Sequence, residues 1–144
     1  MNIADMVKEA VRKNREAVFS QNDQLSLGEL IAKCQEAQVE GKDPEVAFDF
    51  EYAHPTGIDS WRGIYAELAI EFEFGGTEMK LSEFIALLES AVGKEFTGYK
   101  GGEFTMTRDT PMWVANYGNA GNTAVIGVID AGWQIVIATG YREA

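Results

Sequence analysis

The chain is poor in the residues that build disulfides, zinc sites and basic surfaces. It has one cysteine, Cys34, so no internal disulfide can form, and its one histidine, His54, excludes a His-rich metal site. Twelve Lys and Arg face 23 Asp and Glu, for a formal net charge of -11. A field of this sign repels duplex DNA, RNA and anionic lipid, so we expect no role on nucleic acid or membrane surfaces. We also expect no cofactor and no metal.

Long hydrophobic runs are missing as well. No apolar stretch approaches the ~20 residues that span a bilayer, and residues 1–5 lack the basic and apolar regions of a secretory signal. We therefore expect a cytoplasmic protein. The length of 144 residues, with 46% apolar and 24% charged residues, predicts a single domain over residues 1–144.

Three segments have the three- and four-residue apolar spacing of amphipathic helices: residues 3–18, 27–34 and 81–92. The second begins with a capping box formed by Ser26 and Glu29, and Gly93 ends the third. Cys34 lies on the apolar face of the second helix, where we expect a buried thiol rather than a reactive one.

Other segments have the two-residue period of strands. Residues 46–52 and 64–74 predict two strands that pair as an antiparallel hairpin around a turn at residues 54–57. Further strands are predicted at residues 105–107, 113–115, 123–129 and 133–139. The last two are apolar on both faces, so we expect them to be central strands, joined by a turn at residues 130–132.

The order of these elements predicts an α+β domain. It has a mostly antiparallel sheet with helices packed on it, two N-terminal helices within residues 1–40, and one central helix within an α+β core at residues 46–141.

The first candidate site follows the predicted turn and contains Ser60, Trp61, Arg62 and Tyr65. Arg62 is nearly alone among acidic residues, and its guanidinium could form a fork for a phosphate or a carboxylate. An ion pair with a neighbouring acid is the alternative.

The second candidate site is the glycine-rich segment at residues 98–102, with Tyr99, Lys100, Gly101 and Gly102. Several backbone N–H groups beside a lysine could form an anion-binding nest. The alternative is a tight loop with a solvated lysine, because Gly-Gly pairs usually mark turns.

The third candidate site contains Thr110, Trp113 and Asn116. The Trp113 ring could stack on a base, while Thr110 and Asn116 could hydrogen-bond to the edge of that base. The alternative for Trp113 is a place in the core.

Little in the sequence favours catalysis. His54 lies in the predicted turn with no nucleophile motif nearby, and we expect it to make one local hydrogen bond there. Glu71 and Glu73 share one face of a predicted strand, which suits a solvated acidic face at least as well as acid–base chemistry.

Three motifs together resemble a family of small phage-encoded proteins of unassigned function. They are PTGIDSWRGIYAELA (residues 55–69), GYKGGEFTM (98–106) and TPMWVANYG (110–118), and the resemblance covers about residues 46–141. It implies a bacteriophage origin and an accessory protein that counters host defence. Such proteins sequester a nucleotide immune signal or block a defence protein by direct contact.

The leading hypothesis is a non-enzymatic protein that binds and sequesters a small anionic, nucleotide-like ligand. A homo-oligomer is one expectation, because such sites often lie between subunits. Its ligand-binding residues would be Ser60, Trp61, Arg62, Tyr65, Tyr99, Lys100, Gly101, Gly102, Thr110, Trp113 and Asn116. The alternative is an acidic protein–protein inhibitor that imitates nucleic acid toward a basic host defence protein. A hydrolase acting on the same kind of ligand and a virion component are two further alternatives.

Overall fold

A computed structural model describes residues 24–50, 53–60, 67–75, 78–97, 103–115 and 123–141. Six strands form one sheet in the order β1-β8-β7-β6-β3-β2, and β4 pairs with β5 in a second sheet. The helices are α1 (Leu27–Glu36) and α2 (Leu81–Ala91). The strands are β1 (Glu45–Phe48), β2 (Ala53–Ser60), β3 (Leu68–Phe74), β4 (Glu95–Thr97), β5 (Glu103–Thr105), β6 (Met112–Val114), β7 (Thr123–Asp130) and β8 (Gln134–Tyr141).

The predicted three-helix α+β arrangement is wrong. Strand accounts for 50% and helix for 22% of the described residues, and the six-stranded sheet is a near-barrel with two helices in that part of the chain. The sheet is mixed, because β1 runs parallel to β8 and β3 runs parallel to β6. The predicted first helix, at residues 3–18, lies outside the described residues.

The predicted pairing of residues 46–52 with 64–74 is also wrong. The antiparallel partner of β3 is β2, which contains the predicted turn at residues 54–57, whereas β1 pairs with β8. The register of β2 shifts between Pro55 and Gly57, and this bulge at an edge of the sheet accommodates the proline. Pro and Gly, which usually indicate a turn, here mark an irregular strand.

Helix α1 forms as its sequence predicts. The Ser26 hydroxyl accepts a hydrogen bond from the Glu29 N–H at 3.2 Å, and the Glu29 carboxylate accepts one from the Ser26 N–H at 2.9 Å. This capping box satisfies two N–H groups at the start of the helix. Cys34 is fully buried, and burial raises the pKa of its thiol to about 12, so the thiolate that would react is suppressed.

Helix α2 also confirms its pattern and ends before Gly93, whose φ of 77° is the left-handed conformation that glycine favours. Its N-terminus is stabilised from a distant loop. The Asp43 carboxylate accepts hydrogen bonds from the Ser82 N–H at 2.9 Å and from the Ser82 hydroxyl. These two bonds, the hydroxyl bond first, lower the pKa of Asp43 from its ordinary value of 3.8.

We expect Asp43→Ala to lower the free energy of unfolding by about 1 kcal/mol, because it removes a cap from the first turn of α2. A lowered pKa means that the stabilisation is complete above pH 3.8 and is lost as the pH falls through the folded-state value. Urea denaturation at pH 7 and in strongly acidic buffer measures this. An equal difference between wild type and variant at both pH values would contradict it, and Asp43→Asn, which keeps one acceptor, should fall between the two.

Strand alternation gives the sheet two apolar faces. The first face packs against α1 and α2, and its buried residues include Val46, Leu68, Ile70, Met112, Val114, Ile135 and Ile137. The second face carries a separate buried cluster of Ala69, Trp113, Ala124, Ile126, Ile129, Val136 and Ala138. Strands β7 and β8 are interior strands, as predicted, and Asp130 closes the turn between them by accepting a hydrogen bond from the Gly132 N–H at 2.8 Å.

Candidate functional site

Most of the predicted ligand-binding residues lie outside the described part of the chain. They are Trp61, Arg62, Tyr65, Tyr99, Lys100, Gly101, Gly102 and Asn116. The convergence of Arg62 and Lys100 on one ligand therefore stays a prediction.

The other three predicted residues, Ser60, Thr110 and Trp113, come to one end of the sheet. Ser60 ends β2 opposite Leu68, and Leu68 also pairs with Met112 of β6. Thr110 lies two residues before the start of β6, and Trp113 lies within that strand. The fold thus gathers segments that are 50 residues apart in the chain.

Thr110 and Trp113 are both buried, with 5% and 2% of their surfaces exposed. The Thr110 hydroxyl accepts a hydrogen bond from the Thr107 N–H at 2.8 Å, and its carbonyl accepts one from the Leu27 N–H at 2.7 Å. The Trp113 indole Nε1 donates to the Glu67 carboxylate at 3.1 Å. Both side chains therefore stabilise the fold through burial and these hydrogen bonds.

A pair of exposed carboxylates lies on the second face of β3, next to the apolar cluster. Glu71 and Glu73 share this face with Ala69, as their spacing predicts. No Lys or Arg among the described residues forms an ion pair with either of them. Gly57 lies opposite Glu71, and a Cβ at that position would be 2.9 Å from Glu71 Oε1, so glycine leaves room for the carboxylate above β2.

His54 is the functional candidate that the sequence interpretation missed. The predicted turn position with one local hydrogen bond is wrong, because His54 lies in β2 opposite Glu73 and is 2% exposed. Its Nε2 is 3.7 Å from Glu73 Oε1, too far for a hydrogen bond, and has no hydrogen-bond partner. Buried polar atoms are nearly always satisfied, so this atom is an exception.

A second carboxyl pair, Glu45 and Glu78, lies at the edge of β1. A hydrogen bond between the two side chains raises the pKa of Glu78 and lowers the pKa of Glu45. Lys80 Nζ is 3.4 Å from Glu45 Oε1. Lys80 is the one Lys or Arg that the structure describes between positions 45 and 89, and it already forms an ion pair with Glu45.

An aromatic ladder runs from the core to the end of β3. Phe48 stacks on Phe50 with ring centroids 5.1 Å apart, Phe50 meets the edge of Phe72 at 5.3 Å, and Phe72 meets Phe74 at 5.5 Å. Phe48 is buried, whereas Phe74 is 54% exposed. The end of β3 therefore presents an aromatic ring on the first face and carboxylates on the second.

An open hollow of about 540 Å³ lies between residues 38–43 and Ser82. The carboxylate within it, Asp43, already accepts two hydrogen bonds from Ser82. The carboxylate in this hollow therefore serves to cap the first turn of α2.

The described residues contain no group of three or more His, Cys, Asp or Glu placed to hold a metal ion. No described helix has both the length and the apolar character needed to cross a bilayer. The chain matches no protein-family model, no curated protein and no solved structure. The resemblance to phage-encoded proteins accordingly stays a prediction.

Proposed function

We propose that the protein is a non-enzymatic binding protein that captures a basic partner protein through its acidic β2–β3 hairpin. The observation that carries this proposal is the pair of exposed carboxylates, Glu71 and Glu73, without a Lys or Arg partner among the described residues. Lys80, the one Lys or Arg that the structure describes between residues 45 and 89, forms an ion pair with Glu45.

Exposed carboxylates without a Lys or Arg partner contribute more to the binding of a basic protein than to the stability of the fold. Two unit charges 4 Å apart interact by about 1 kcal/mol in water and about 4 kcal/mol at a partly desolvated surface. A basic partner gains this attraction at the interface, and the net charge of -11 attracts it before contact. If the phage resemblance holds, the partner is a host defence protein in the cytoplasm whose basic surface normally binds nucleic acid.

We expect the full-length protein, immobilised, to retain a basic protein from host lysate, and moderate salt to release it because the Debye length is about 8 Å at 0.15 M. The double variant Glu71→Gln, Glu73→Gln should lose most of this retention. The double variant Glu36→Gln, Glu40→Gln has the same change in charge on α1 and the loop after it, and should keep most of it. A partner that resists salt, or equal loss in both variants, would contradict the proposal.

Capture of a nucleotide-like anion is the second candidate. It rests on the sequence motifs around Arg62 and Lys100, because Thr110 and Trp113 are buried and hydrogen-bonded within the fold. A thermal-shift panel of cyclic and linear nucleotides tests it: a rise in Tm that is lost in Arg62→Ala, Lys100→Ala supports it, and no shift with any nucleotide rejects it.

A further inference from the structure

We infer that His54, Glu71 and Glu73 form a guanidinium-binding site on the second face of the β2–β3 hairpin, which receives an arginine side chain of the partner. This inference rests on the proposed capture of a basic protein and names the group that the hairpin recognises. The three side chains are called the hairpin site below.

The geometry of the hairpin brings these side chains to one place. His54 and Glu73 are directly opposite each other in the antiparallel pair, so their Cβ atoms are about 5 Å apart. Glu71 is two residues before Glu73 on the same face, about 7 Å along the strand. Gly57, opposite Glu71, keeps the space above β2 open for the Glu71 carboxylate.

The nitrogen without a hydrogen-bond partner, His54 Nε2, indicates which kind of group would complete the hairpin site. His54 Nε2 is buried, points at Glu73 from 3.7 Å and has no hydrogen-bond partner. With a proton on Nε2, the N–H is too far from Glu73 Oε1 to form a hydrogen bond. With the proton on Nδ1, the form that can accept from a bound donor, Nε2 presents a lone pair to a carboxylate that has only acceptors. A donor between them would satisfy both atoms.

Guanidinium has the right set of donors for this role. Its five N–H groups lie in one plane, so one edge can serve a carboxylate in a bidentate manner while another N–H reaches Nε2. An ammonium group is a more strongly hydrated point charge with three donors and loses more on entering a site lined by a buried ring. The hairpin site should therefore prefer arginine to lysine.

The test uses the full-length protein with two probes, nona-arginine and nona-lysine, in the same buffer. Calorimetry should give several-fold tighter binding of nona-arginine. Because His54 is the only histidine, its imidazole NMR signals can be assigned without ambiguity, and they should shift with nona-arginine and much less with nona-lysine. Glu73→Gln should weaken nona-arginine binding about three- to tenfold and remove the preference for arginine.

Glu36→Gln is the matched control, since it removes the same charge from an exposed position on α1. It should weaken both peptides slightly and equally, and leave the preference intact. If both peptides bind equally and the imidazole signals stay unchanged, the hairpin site is wrong while the capture of basic partners stands. If neither peptide binds, the proposed function itself fails. Imidazole shifts with Zn²⁺ alone and none with nona-arginine would also overturn the site.

Discussion

Replacing Leu88 with alanine is expected to lower the free energy of unfolding by about 3–4 kcal/mol. Leu88 is fully buried on α2, in the cluster that joins both helices to the first face of the sheet. The variant loses the transfer free energy of the removed atoms, and the rigid strands beneath the helix cannot close the cavity that remains. Urea denaturation followed by tryptophan fluorescence measures the loss.

The preceding residue, Leu87, provides a matched control. It is the same residue type on the same helix, but it is only partly buried. Leu87→Ala should cost about 1 kcal/mol or less, because most of the vacated space is open to solvent. Similar losses in the two variants would show that α2 does not pack on the sheet through the Leu88 side.

Local patterns predict the elements whose stability is decided locally. The apolar spacing of α1, its capping box and the turn at Asp130 each depend on residues within a few positions of one another, and all three are confirmed. The pairing of strands is different. β1 pairs with β8 and β3 with β6 across long stretches of chain, and no local pattern in β1 or β3 specifies these partners.

The same distinction applies to the candidate site. The shared face of Glu71 and Glu73 follows from the two-residue period of β3. The strand position of His54 could not be predicted, because Pro55 and Gly57 around it are typical of a turn and the bulge that accommodates them depends on β3. The lack of a hydrogen-bond partner for His54 Nε2 depends on the pairing of β2 with β3, so no local sequence pattern predicts it.

The second large effect is expected at Asp49, an acidic residue that supports the fold. Its carboxylate accepts hydrogen bonds from the Thr139 N–H at 2.9 Å and from the Thr139 hydroxyl at 2.6 Å. Thr139 is 2% exposed in β8, an interior strand. Asp49→Ala removes two hydrogen bonds from a buried residue of an interior strand, so we expect the free energy of unfolding to fall by about 3 kcal/mol.

This result would separate two roles of negative charge in one chain. Asp49→Ala and Glu36→Ala both reduce the net charge of -11 by one, which lowers self-repulsion in each case. Asp49 accepts two hydrogen bonds from a buried residue, whereas Glu36 is exposed, so Glu36→Ala should change stability by about 0.5 kcal/mol or less. Asp49→Asn, which keeps one acceptor oxygen, should lose about half as much as Asp49→Ala. Equal stability of the Asp49 and Glu36 variants would mean that Asp49 does not anchor β8. A larger loss of stability in Asp49→Ala than in Glu36→Ala would identify Asp49 as a residue that stabilises the fold. The exposed acids Glu71 and Glu73 would then be the ones available for binding.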